Sequence, residues 1–143
     1  MIAVMGWLGS ACNSGIPEPA SMTIPSTNLA LAIVRVATDP FLSRHNLTLS
    51  IQSEGGCSAT AELFPDTGHA GRRNVYLTGP GLIYVVGEFD ARVIDSDRCR
   101  ITLSEFRHLA RDVVFLGSFD EDRDGRWTYF PASQRPEQPL GSR

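Results

Sequence analysis

The sequence predicts a mainly-β domain, an antiparallel β-sandwich or open barrel with at most one or two short helices. Three observations carry this. Apolar residues in the body recur at every second position, the period of a half-buried strand. Turn-forming residues interrupt those runs at short intervals. The chain has 143 residues, 42% hydrophobic and 20% charged, the size of one domain that buries its own core.

The elements follow in order. Residues 13–27 are rich in Ser, Pro, Gly and Thr, with prolines at 17, 19 and 25, and read as an extended tether. The body spans residues 28–130. Leu29, Ala32, Ile33 and Val36 fit one face of a helix, yet their β-branched content fits a buried strand equally well. Leu47, Leu49 and Ile51 alternate with polar residues and predict a strand. So do Cys57, Ala59, Ala61 and Leu63, and again Cys99, Ile101 and Leu103. Val75–Thr78 and Leu82–Val86 are shorter β-rich runs joined by Gly79-Pro80-Gly81, and Glu88–Ile94 is expected to continue the second past a bend at Gly87. Ser104–Asp112 suits a helix: Ser104 caps it, Glu105 complements the dipole, and Phe106, Leu109, Ala110 and Val113 share a face. Arg126–Phe130 is a last aromatic strand, and residues 131–143, punctuated by Pro131, Pro136 and Pro139, read as a disordered tail.

Cys12 closes the run Trp7-Leu8-Gly9-Ser10-Ala11-Cys12, in which small residues follow an apolar stretch. Residues 1–12 thereby resemble a bacterial export signal ending at a lipobox, with Cys12 the lipidated residue. The basic segment that opens such signals is missing, as is the usual Leu three residues before the cysteine, where Gly9 stands. A start codon upstream of Met1 would supply the first. The resemblance implies a chain in the periplasm or cell envelope, anchored to a membrane by its lipid; the alternative is a cytoplasmic protein. The longest apolar run, Leu29–Val34, falls far short of the roughly 20 residues of a spanning helix.

With Cys12 lipidated, Cys57 and Cys99 remain as an even pair, which an oxidising compartment favours. Both open alternating runs in the apolar phase, so a Cys57–Cys99 disulfide across the core is expected. The arrangement departs from the immunoglobulin pattern, because Trp127 follows the second cysteine and Asp97 stands where a Tyr belongs.

Asp120-Glu121-Asp122-Arg123-Asp124-Gly125-Arg126-Trp127-Thr128 resembles the first nine positions of an EF-hand loop. The resemblance implies calcium, a cation that takes six to eight oxygens. Asp120, Asp122 and Asp124 would offer carboxylates, Arg126 its carbonyl, and Thr128 a ninth-position oxygen. Pro131 stands where the bidentate Glu belongs, and Asp124-Gly125 is equally a hairpin-turn signal.

Composition excludes several functions. All 13 basic residues are Arg, so a phosphate loop of the Walker type and a pyridoxal Schiff base lack their lysine. The net charge is −3, and the arginines at 92, 98, 100, 107 and 111 alternate with acids, which reads as a solvated mixed-charge surface and argues against nucleic acid. His45, His69 and His108 form no zinc-protease pattern, and no Ser lies in a GxSxG elbow.

The reading that results is an exported, membrane-tethered binding or accessory module without catalytic activity, whose partner is another extracytoplasmic protein. One alternative is a calcium-dependent adhesion or assembly module. The other is a small enzyme whose site forms only in the fold; a histidine joined to a buried carboxylate in a pocket would favour it, and an exposed apolar patch would favour binding.

Overall fold

The computed structural model describes residues 15–68, 71–104 and 112–140. Among them there are ten strands in two antiparallel sheets and no helix, a mainly-β sandwich. The first sheet has the order β1-β2-β3-β4, a simple meander of β1 (Glu18–Thr23), β2 (Leu29–Ala37), β3 (His45–Ser53) and β4 (Ser58–Glu62). The second has the order β10-β9-β5-β6-β7-β8, with β5 (Arg73–Thr78), β6 (Ile83–Val86), β7 (Ala91–Asp95), β8 (Arg100–Ser104), β9 (Val113–Glu121) and β10 (Trp127–Pro131). The sheets approach at both pairs of edges, β1 against β10 and β4 against β8.

The period of two builds the core. Leu29, Leu31 and Ile33 of β2 face Leu47, Leu49 and Ile51 of β3 on one inner surface. Val75, Ile83, Val85, Ile94, Phe119 and Trp127 supply the other. Phe119 stacks on Trp127 with ring centroids 6.3 Å apart and meets Tyr129 at 5.1 Å. The Trp127 indole donates to the Ile33 carbonyl at 3.0 Å, so the buried N–H is satisfied across the sheets.

The Cys57–Cys99 bridge is present, with Cα atoms 5.5 Å apart. Each cysteine immediately precedes an edge strand, β4 or β8, and both pack against the core. Cys99 has φ 51°, the left-handed conformation more often given to Gly.

Several expectations need correction. Residues 18–23, expected within the tether, form β1, and Ala20 and Ile24 are buried. Pro19 is tolerated because β1 is an edge strand, where a missing N–H breaks no ladder. Leu29–Ala37 is a strand, which settles the open choice. Glu88 does not continue β6. The chain reverses there, with the Gly87 amide on the Asp90 carbonyl at 2.8 Å, and β7 pairs back on β6. Gly87 is needed at this reversal, since a Cβ would lie 2.6 Å from the Arg73 Nε. β9, whose apolar run lacks the alternation that marks a strand in sequence, carries a bulge at Leu116–Gly117 opposite Val75 and Tyr76.

The segment after β10 is not a loose tail as far as residue 140. It lies along the outer face of the second sheet, where Asn74 donates to the Gln138 carbonyl at 2.7 Å and the Tyr76 hydroxyl to Glu137 at 2.9 Å. Leu140 packs with Tyr76, Val86 and Phe115. β5 is therefore covered on both faces. Cys12, His69, His108 and nearly all of the expected Ser104–Asp112 helix lie outside the described residues.

Candidate functional site

Strand direction gathers the polar chemistry at one end of the sandwich. Here β1 starts, β2 ends, β3 and β5 start, and β9 turns into β10. The core-facing phase of three strands switches at this end from aliphatic residues to arginine: Arg35 follows Ile33, Arg73 precedes Val75, and Arg92 precedes Ile94. All three are buried, so each must find partners.

Arg35 is saturated. It donates to Glu18 twice, at 2.9 and 3.1 Å, to the Gly125 carbonyl at 2.9 Å, and to Glu121. Its guanidinium lies 5.3 Å from the Trp127 ring centre. Burial pulls its pKa down, but the hydrogen bonds to Glu18 and Glu121 outweigh this and hold it above the ordinary value. Arg73 donates to the carbonyls of Phe64 at 2.7 Å and Gly71 at 3.1 Å and stands 3.3 Å from Asp90. Burial lowers its pKa against the opposing charge of Asp90. Asp90 accepts the Phe64 amide at 2.8 Å, and Arg92 donates to the Glu62 carbonyl at 2.7 Å. The expectation of Arg92 as a solvated surface charge fails for this reason: its strand phase points inward. Arg98 and Arg100 are exposed as expected.

The acidic segment is the end of β9, the five-residue hairpin loop 122–126 and the start of β10, and several of its oxygens already hold donors. Asp122 accepts the amides of Asp124 at 2.8 Å and Arg126 at 2.9 Å, which together with opposed desolvation leaves its pKa below the ordinary carboxylate value, the Arg126 amide acting most. Gly125, at φ 77°, supplies the left-handed residue that this turn requires. Asp120 accepts from Arg135 at 3.0 Å and lies 3.7 Å from Arg72. The Arg126 carbonyl accepts the Asp122 amide at 2.9 Å and the Thr128 hydroxyl at 3.1 Å. Among the described residues no group of three or more His, Cys, Asp or Glu could hold a metal ion. The oxygens of Asp120, Asp122, Asp124, Arg126 and Thr128 that were expected to take calcium lie along this hairpin, where Asp120, Asp122 and the Arg126 carbonyl already serve hydrogen bonds or an ion pair.

Two features at this end were invisible in the sequence. The first is a polar cleft of about 360 Å³ whose walls include Arg35, Ser43, Asp66, Arg72, Asp120 and Glu121. Beside it, His45 and Asp66 exchange both backbone hydrogen bonds at 2.9 Å, and the His45 Nδ1 stands 3.6 Å from the Asp66 carboxylate.

The second is a set of apolar side chains pushed into solvent on ordered loops: Phe41 is 93% exposed, Leu42 51%, Phe64 45% and Phe89 67%. The loops touch one another. The Phe64 amide bonds Asp90 of the β6–β7 turn, and Gly68 lies against the Ser43 carbonyl. Asp39 accepts the amides of Phe41 at 2.8 Å and Leu42 at 3.1 Å, and the Thr38 amide closes the loop on Arg44 at 3.0 Å. The Phe41 and Leu42 tips are held out by this capped turn. Comparisons of the chain with protein-family models, with curated proteins and with solved structures find no match.

Proposed function

We propose that this chain is an extracytoplasmic, lipid-tethered β-sandwich that works as a binding module through its loop end. The observation that supports binding is the group of exposed tips Phe41, Leu42, Phe64 and Phe89 on contacting loops. Apolar side chains exposed together at one end do not serve the core, and such groups mark interaction surfaces. The extracytoplasmic part rests on the Cys57–Cys99 bridge and on the small-residue approach to Cys12, the one cysteine left over. Metabolic labelling of the full open reading frame with a fatty-acid analogue tests the tether. Label in the wild type and none in Cys12→Ser is expected. Equal label in both, or none with the protein left in the cytosol, rejects it.

A second reading, a small extracytoplasmic enzyme, draws on the His45–Asp66 contact beside the cleft. A carboxylate at Nδ1 is the partner that fixes an imidazole for general-base work, and Ser43 is a hydroxyl residue of the cleft wall. A fluorophosphonate probe decides it: covalent label on Ser43, lost in His45→Ala, supports this reading, and no label on Ser43 removes it.

A further inference from the structure

We propose that the loop end is a membrane-docking surface, with Phe41, Leu42, Phe64 and Phe89 seated in the interfacial layer of the bilayer that holds Cys12. This rests on the tethered reading above and names the partner of the same surface.

The occupant follows from where the chain leaves the sandwich. The Gly15 amide donates to the Ala37 carbonyl at 3.1 Å, so the N-terminal segment departs from the loop end. Ile16, beside it, is also exposed. Only Asn13 and Ser14 separate Cys12 from Gly15 in sequence, a reach of at most about 11 Å. The nine-residue strands β2 and β3 make the body roughly 30 Å tall. A tether this short, attached at this end, keeps the far end with its disulfide away from the lipid and brings the loop tips toward it.

The chemistry of the loops says how they would dock. The charges around the rings are mixed: Asp39, Glu62 and Glu88 stand beside Arg44, and Arg92 lies over the Phe64 ring, 5.8 Å from its centre. Attraction to anionic headgroups, which needs clustered basic residues, therefore contributes little. Burial of the rings is what remains, and it is insensitive to salt. A few apolar side chains alone bind a bilayer weakly and reversibly. Combined with a covalent lipid they hold the body in one orientation, as any two weak membrane signals do.

Tryptophan reporters test the orientation in the full chain, with Trp7→Phe in every variant and buried Trp127 as a constant background. Phe41→Trp and Phe89→Trp place reporters at the tips, and Val114→Trp places one on β9 toward the opposite end. Each is mixed with phosphatidylethanolamine and phosphatidylglycerol vesicles carrying brominated acyl chains. Quenching at 41 and 89 with none at 114, unchanged in high salt, is the expected result. In flotation, Phe41→Ser and Phe89→Ser each lower partitioning of the Cys12→Ser chain about tenfold. Protein that floats with vesicles while its tips stay unquenched overturns the proposal and leaves the rings to a protein partner. Failure to associate with vesicles overturns it too. The labelling experiment keeps the two readings apart: a chain lipidated at Cys12 but unquenched loses the docking surface and retains its tether.

Discussion

Arg35 of β2 and Glu121 of β9 form an ion pair that joins the two sheets. The acidic hairpin is thus answered by an arginine from the opposite sheet, which also binds the Gly125 carbonyl at the turn. The same guanidinium covers the Trp127 ring and holds Glu18 at the first residue of β1. One side chain consequently secures the edge strand, the hairpin and the end of the core.

Replacing it has a defined cost. The partner side chains are 37% and 49% exposed, so Glu18 and Glu121 regain water when Arg35 is lost. Arg35→Ala is expected to destabilise the fold by about 2 kcal/mol, less than the roughly 3–5 kcal/mol of breaking a fully buried pair. Arg35→Lys recovers only part of this, because an ammonium lacks the planar fork that serves Glu18 and Gly125 together. Urea denaturation of the three proteins measures it, and equal midpoints would contradict the role.

Removing the disulfide acts mainly on the unfolded chain. Cys57 and Cys99 are 42 residues apart, and closing a loop of that length is worth about 4 kcal/mol in the chain-entropy model. The double variant Cys57→Ala with Cys99→Ala is expected to lose a few kcal/mol of stability. Its β4–β8 edge should exchange amide hydrogens faster than the β1–β10 edge, which keeps its own contacts.

The docked C-terminal segment makes stability fall at alkaline pH. Burial, then the hydrogen bond to Glu137, pushes the Tyr76 phenol up to about 12 from 10.0. A raised folded-state pKa gives stability that is complete below the unfolded value and is lost as pH rises through the folded one. Wild type should therefore weaken between about pH 10 and pH 12. Tyr76→Phe should flatten that drop in a pH series of thermal melts. An unchanged slope would show that Tyr76 ionises freely.

Asp122 works in the opposite direction. Its carboxylate is held below the ordinary 3.8, chiefly by the Arg126 amide, so its contribution is present above that pH and disappears in stronger acid. Asp122→Ala should lower the melting temperature at neutral pH by loosening the hairpin, and less so in acid. Millimolar calcium should leave wild type and variant equally unmoved. A calcium-dependent rise confined to wild type would restore the metal reading.

The alternation of Leu47, Leu49 and Ile51 was enough to foresee a strand, because a half-buried sheet imposes its period locally. The bridge was foreseeable for a related reason, since both cysteines open alternating runs. Asp124-Gly125 already signalled a hairpin beside the metal-like spacing of the acids, and turn chemistry is local as well. The fate of the arginines was not legible. Arg35 finds its carboxylates 17 and 86 positions away, and no window of sequence contains such a pair. β1 is not legible in the sequence because a Pro-rich stretch forms no strand by itself; it becomes one against the edge of β2. Phe41 and Phe89 resemble core residues in composition. Their exposure is decided by loops 48 residues apart that turn outward at the same end of the sandwich, and this depends on strand order rather than on side-chain type.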